Sequence, residues 1–240
     1  MGKGIYVATS GSIAQLRHLE QISNNLANAR TTGFKADRMT FEEVLANNVE
    51  TQDVRERDKH YVATSAIPSD LRSGAVTRTD NPLDVAVTGN GMLKVETDRG
   101  VRLTRGGQLT LGRDGTLRTN AGHAVLADND SRIVLPPETI PEIDEDGAIW
   151  TEQGKAGRLG VVSVDLMQGL EKDPDGLFVP GVEAEPSPDM SVMQGHLEES
   201  NVSPVKMMLD LINVQRTFSA LRQVITTSGE MDQLANRLAR

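Results

Sequence analysis

The sequence predicts an α+β fold, with N- and C-terminal helices packing as a coiled-coil-like pair and a central all-β module between them. Two observations carry that prediction. Apolar residues recur at helical spacing near both ends of the chain, whereas the middle breaks into short runs of Val, Leu and Ile separated by glycine-bearing turns. A third observation sets the character of the core: aromatic residues make up only 3% of the 240 positions, so packing must rest on aliphatic side chains and methionine. Such a core suits seams and strands better than an aromatic-lined ligand pocket.

The elements follow in order. Ile13, Leu16, Leu19, Ile22 and Leu26 recur every three or four residues and predict a helix from about Thr9 or Ser10 to Ala29. Ser10 or Ser12 is its expected N-cap, and Thr31-Thr32-Gly33 its stop. From Asp37 to Ser73, scattered apolar residues (Met39, Phe41, Val44, Leu45) precede a polar stretch, Thr51 to Lys59, which together read as a short helix and an extended connector.

Beyond Ala75, Leu83, Val85 and Val87 alternate with Asp84 and Ala86, Gly89-Asn90-Gly91 punctuates, and Leu93 and Val95 alternate with Lys94 and Glu96. That pattern predicts a hairpin with one buried face. Further strands are expected at Val101–Thr104, Gln108–Leu111, Thr116–Arg118, His123–Leu126, Arg132–Leu135, Gly147–Trp150 and Leu159–Val164, with turns at Asp114-Gly115, Asp128-Asn129-Asp130 and Asp146-Gly147. Pro180, Pro186 and Pro188 mark a linker out of the module.

Pro204 suits the first turn of a long C-terminal helix, in which Met207, Leu211, Val214, Phe218, Leu221 and Ile225 alternate steps of four and three. The seam continues, shifted near Ser228 and Gly229, through Met231, Leu234 and Leu238. The expected boundaries are an N-terminal helical assembly segment (1–36), a connector (37–74), a central β-domain (75–188) and a C-terminal linker with a second helical assembly segment (189–240).

A narrow seam needs a second helix to bury it, from the same chain or from a neighbour, and periodicity alone does not choose between them. Asn24, Asn25 and Asn28 have poor helix propensity; they either hydrogen-bond across helices to fix register or cap the end near Gly33. Gly33, Phe34 and Lys35 supply a turn glycine, an apolar anchor and a charge that set the exit of the chain. Gln215 and Arg216 flank the second seam, and Glu198, Glu199, Asn201 and Ser203 are placed to cap the helix behind it.

A net charge of −9 without a basic segment argues against nucleic acid as a partner. Without cysteine there is no disulfide or thiolate metal site. Ile5–Ala8 is too short an apolar run for a Sec signal or a membrane span, so direct membrane insertion is not expected. Asp144-Glu145-Asp146 and Asp128 with Asp130 sit beside turn residues, and His18, His60, His123 and His196 are scattered. Neither group offers paired carboxylates across a cleft or a metal-ligand spacing, so no catalytic, cofactor or metal site is assigned.

SNNLANARTTGFKA (Ser23 to Ala36) closely resembles the N-terminal signature of bacterial flagellar axial proteins, the rod and hook subunits, and LEESNVSPVKMMLDLINVQRTFSALRQVI (Leu197 to Ile225) resembles their C-terminal signature. NPLDVAVTGNGMLKV (Asn81 to Val95) and LTRGGQLTLGRDGTLRTNAG (Leu103 to Gly122) resemble the β-domain of the basal-body rod protein family. Met92-Leu93 stands where that family usually has two aromatics, and Leu103 where it often has tyrosine.

Within the family the opening looks most like a proximal-rod subunit, with the distal-rod type close; a monomeric periplasmic binding module is the alternative from another class. The resemblance implies a non-enzymatic structural subunit of a torque-transmitting, periplasm-spanning shaft used in motility. Its implied partners are itself, distal-rod and neighbouring proximal-rod subunits, and the flagellar type III export apparatus, with export requiring no Sec signal. It assigns the assembly interface to Ile13, Leu16, Leu19, Ile22, Asn24, Asn25, Leu26, Asn28, Gly33, Phe34, Met207, Leu211, Val214, Gln215, Phe218, Leu221 and Ile225.

Overall fold

Both ends of the chain are helical in the computed structural model, which describes residues 2–45, 60–67, 69–136, 139–163, 170–173, 175–180 and 190–238. Helix α1 spans Gly2–Ala27, starting ahead of the expected Thr9 or Ser10. The hydroxyls expected to cap it bond backwards inside it instead, Ser10 Oγ to Val7 O at 3.0 Å and Ser12 Oγ to Ala8 O at 2.8 Å. Past Ala27 a turn follows, in which Thr31 N donates to Asn28 O (3.1 Å) and Gly33 takes φ of 70°. Helix α2 spans Pro204–Leu238 and runs unbroken through Gly229, so the register shift there interrupts the seam but not the helix. Proline at its start donates no hydrogen bond where none is needed.

Strand β1 (Arg38–Leu45) pairs antiparallel with β2 (His60–Ile67), Arg38 opposite Ile67 and Leu45 opposite His60. This replaces the short helix expected after Asp37. Phe41, Val44 and Leu45 happen to fall at helical spacing, but a strand-prone partner with Tyr61, Val62 and Thr64 lies downstream, beyond any local window. The expected connector Thr51–Lys59 and the linker residues Pro186 and Pro188 lie outside the described residues. Helices α1 and α2, the β1–β2 hairpin and their flanks form one compact unit (Met1–Ala27, Asp37–Ile67, Ser203–Arg240), in which α1 runs beside α2 and beside the hairpin.

The second unit (Asn28–Ala36, Pro68–Val202) is built from short antiparallel strands. In chain order they are β3 (Val76–Arg78), β4 (Val85–Val87), β5 (Gly91–Thr97), β6 (Gly100–Thr104), β7 (Leu109–Leu111), β8 (Leu117–Thr119), β9 (Ala124–Val125), β10 (Glu142–Ile143), β11 (Ala148–Thr151), β12 (Gly154–Arg158), β13 (Val161–Ser163), β14 (Val192–Gln194) and β15 (His196–Glu198). Five strands follow the order β13-β5-β9-β8-β7, with β6 also on β5; β10-β11-β12 form a second sheet; β14 pairs β4 and β15 pairs β3.

The expected β4–β5 hairpin does not form, because both edges of β4 are occupied. Val192 and Gln194 face Val87 and Val85 on one side. On the other, Val85 N donates to Gly107 O at 2.9 Å. A Cβ on Gly107 would lie 1.6 Å from Val85 O, so only glycine permits this approach. Arg132–Leu135, expected as a strand, is divided between two partners, bridging Leu126 at Arg132 and Thr116 at Val134, with Leu117 N donating to Ile133 O and Leu135 N to Gly115 O.

Aliphatic side chains fill the main core, among them Val85, Leu93, Val95, Leu117, Val125, Ile149 and Val192. Met92 points to the other face of β5 and packs with Leu71, Leu103, Val162 and Phe178 in a smaller cluster. Met92, Leu93 and Leu103 are thus all buried, and β5 has apolar cover on both faces. At the acidic turn, Asp144 accepts from Ala148 N (2.8 Å), Asp146 N (3.1 Å) and Trp150 Nε1 (3.2 Å), which spends its oxygens on the turn itself.

Candidate assembly interface

On α2 the residues facing inward are those with the four–three spacing: Val214 is buried, and Met207, Leu211, Phe218, Leu221 and Ile225 are half-buried. Leu221 lies against Gly11 of α1, where an added Cβ would sit 3.5 Å from its Cδ1. The α1 face is less apolar than expected. Ala8, Ser12, Ala14, Ile22 and Asn25 are buried, with Leu19 and Leu26 half-buried.

Ile13 and Leu16 face outward, 50% and 45% exposed. Helix geometry explains the split: each step of three turns about 300°, so a 13-16-19-22 series drifts about 60° per step and Ile22 ends opposite Ile13.

The asparagines hold a returning strand of chain. Asn25 Nδ2 donates to Asp37 O and Asp37 N donates to Asn25 Oδ1, both at 2.9 Å. Asn24 Nδ2 reaches Asp37 Oδ2 at 3.1 Å, and Asn28 Oδ1 accepts from Thr31 Oγ1 at 3.1 Å. Gln215 is exposed.

A second apolar surface was not read from the sequence. Val205, Met208, Leu209 and Ile212 lie on the side of α2 away from the seam and are exposed, Val205 at 70% and Leu209 at 58%; Val224, Met231 and Leu234 are exposed farther along. Their own three–four spacing was the available signal, masked by the stronger seam beside it. Exposed apolar residues grouped on one helix face mark an interaction surface.

Within the β unit, Gly33 and Lys35 meet residues distant in sequence. Lys35 Nζ donates to Glu198 Oε1 (2.6 Å) and to Arg72 O (2.9 Å), while Arg105 Nη1 lies 3.3 Å from Glu198 Oε2. Arg105 also donates to Val87 O (2.5 Å) and to Gly89 O. All three side chains are within 2% of full burial. Burial pulls the Lys35 ammonium below its ordinary value, opposed by the hydrogen bond and charge of Glu198.

Gly33 N donates to Glu198 O at 2.7 Å. A Cβ on Gly33 would come within 2.3 Å of the Arg105 backbone, and its positive φ adds to the requirement for glycine. Phe34 is half-buried, its ring centroid 4.0 Å from Lys172 Nζ. Glu198 and Asn201, expected to cap α2, serve this cluster instead. Asn201 Oδ1 accepts from Ala36 N (2.8 Å), and its Nδ2 donates to Asp70 O (2.7 Å) and Arg72 O (3.0 Å).

Residues 5–35 match the family described as Flagella basal body rod protein, and residues 193–238 match Flagellar basal body rod FlgEFG protein C-terminal. Lys35 and Glu198 therefore stand at the inner edges of the two matched segments. The chain is 32% identical to the flagellar basal-body rod protein FlgF of Caulobacter vibrioides (strain ATCC 19089 / CIP 103742 / CB 15), over 98% of its own length and 97% of the relative's. It is 31% identical to FlgF of Rhizobium meliloti (strain 1021), over 99% and 98%, and 31% identical to the rod protein FlgG of Agrobacterium fabrum (strain C58 / ATCC 33970), over 98% of both.

Proposed function

The chain belongs to the flagellar basal-body rod protein family and is a structural, non-enzymatic subunit of that rod, and we propose that it is the proximal type, assembling with copies of itself and with neighbouring rod subunits through α1 and α2. The relatives named FlgF, at 31–32% identity over nearly the whole chain, support the proximal reading. The observation that carries the assembly reading is the apolar outer face of α2, with Ile13 and Leu16 outward on α1.

A single chain leaves these side chains in water, and a neighbouring helix would remove them from it at about 25 cal/mol per Å². Head-to-tail contacts that do not close on themselves generate a helical shaft rather than a ring, as a torque-transmitting, periplasm-spanning part requires. The coiled-coil-like pairing of α1 with α2 would present both faces as one layer. Passage through the flagellar type III export apparatus without a Sec signal fits the same role.

The test is complementation of a deletion strain with the intact gene or with Met208→Asp/Ile212→Asp, residues whose side chains lie outside the core. The expected result is loss of motility and truncated rods with export of the variant intact. Normal rods and swimming would reject this face as the interface.

A further inference from the structure

Residues 28–36 and 70–74 of the β unit lie outside its strands, and most of their ties converge on one short stretch, 198–201. Glu198 Oε1 accepts from both Lys35 Nζ (2.6 Å) and Gly74 N (2.8 Å), while its Oε2 faces Arg105. Asn201 bonds Ala36, Asp70 and Arg72 with a single amide. Asp70 N donates to Ala36 O at 2.7 Å, joining the two segments to each other. Of these side chains Arg105 reaches the main aliphatic core, at the Val87 carbonyl, while Lys35 and Asn201 bond to backbone and side-chain groups of residues 36, 70, 72 and 198, outside it.

Two cations and one carboxylate share this buried place. Neutralising Glu198 removes the carboxylate nearest to both cations, leaves Lys35 only the field of Asp70, and gives Gly74 N a weaker acceptor, a loss that falls on the docked segments first.

We propose that Glu198 and Asn201 form a latch that docks residues 28–36 and 70–74 on the β unit and opens without unfolding its aliphatic core. The docked segment 28–36 follows α1 directly in the chain, and 198–201 precedes α2. Local opening of this kind is a normal rung on the ladder between fraying and global unfolding.

Amide hydrogen exchange on the full-length protein tests it. In Glu198→Gln, and separately in Asn201→Ala, peptides covering 28–36 and 70–74 should exchange at least tenfold faster, while Leu117 and Val125 keep their rates. In Lys35→Met/Glu198→Gln, which removes one of the stranded cations, exchange of those segments should be slower than in Glu198→Gln alone. Equal acceleration across the core would make Glu198 an ordinary core residue and overturn the latch. Unchanged exchange in 28–36, or no recovery in the double variant, would overturn it as well.

Discussion

Asp114 shows how a single exposed side chain can be tuned by its turn. Thr116 Oγ1 and N donate to its carboxylate and Arg118 joins at 3.0 Å, which together hold its pKa at about 2 against an ordinary 3.8. A depressed carboxylate contributes stability that is fully present above 3.8 and is lost as pH falls through about 2. The wild type should therefore lose urea stability across that window more steeply than Asp114→Asn, in which Glu96 and Asp144 still titrate; equal slopes would show that the turn does not discriminate the charged form. Asp114-Gly115 was legible as a turn because its chemistry is local. The Lys35–Glu198–Arg105 cluster was not, since its members are separated by up to 163 positions and no periodicity links them. Gly33 was readable as a helix stop; that it must also clear the Arg105 backbone was not.

Among the elements, the two helices were the most legible because a 3.6-residue period repeats over many turns, and α2 kept its expected face. The start of α1 was misjudged because Ser10 and Ser12 look like caps in sequence yet bond back into the preceding turn. Strand existence was readable from Val and Leu runs, but pairing was not: β4 takes a partner from beyond residue 190, and β1 finds β2 across a polar stretch. Gly229 tests whether the seam shift in α2 needs a flexible point. An added Cβ there meets nothing within 4 Å. Gly229→Ala should accordingly stabilise the helical transition by about 1 kcal/mol, read by circular dichroism during heating. A destabilised helix would show that glycine is required there for another reason.

For the whole molecule, the division into a helical and hairpin unit and a β unit implies separable damage. Val214 is the most buried residue of the α2 seam, 5% exposed, and placing a carboxylate there should cost the helical unit about 3 kcal/mol or more. In Val214→Asp the helical signal and rod assembly should be lost, while the near-ultraviolet signal of the only tryptophan, Trp150, persists and the unfolding free energy read from it stays within about 0.5 kcal/mol of wild type. Simultaneous loss of both signals would mean that the units do not fold independently. The packing of Leu221 on Gly11 also has a kinetic side. It joins the first element of the chain to the last, so the helix pair closes a loop spanning almost the entire sequence. Closure entropy grows as three-halves RT times the logarithm of loop length, roughly 3 to 4 kcal/mol beyond that of a short hairpin. The pairs of neighbouring strands in the β unit, β5–β6, β7–β8 and β11–β12 among them, should thus form early, and the helix pair should form among the last events of refolding.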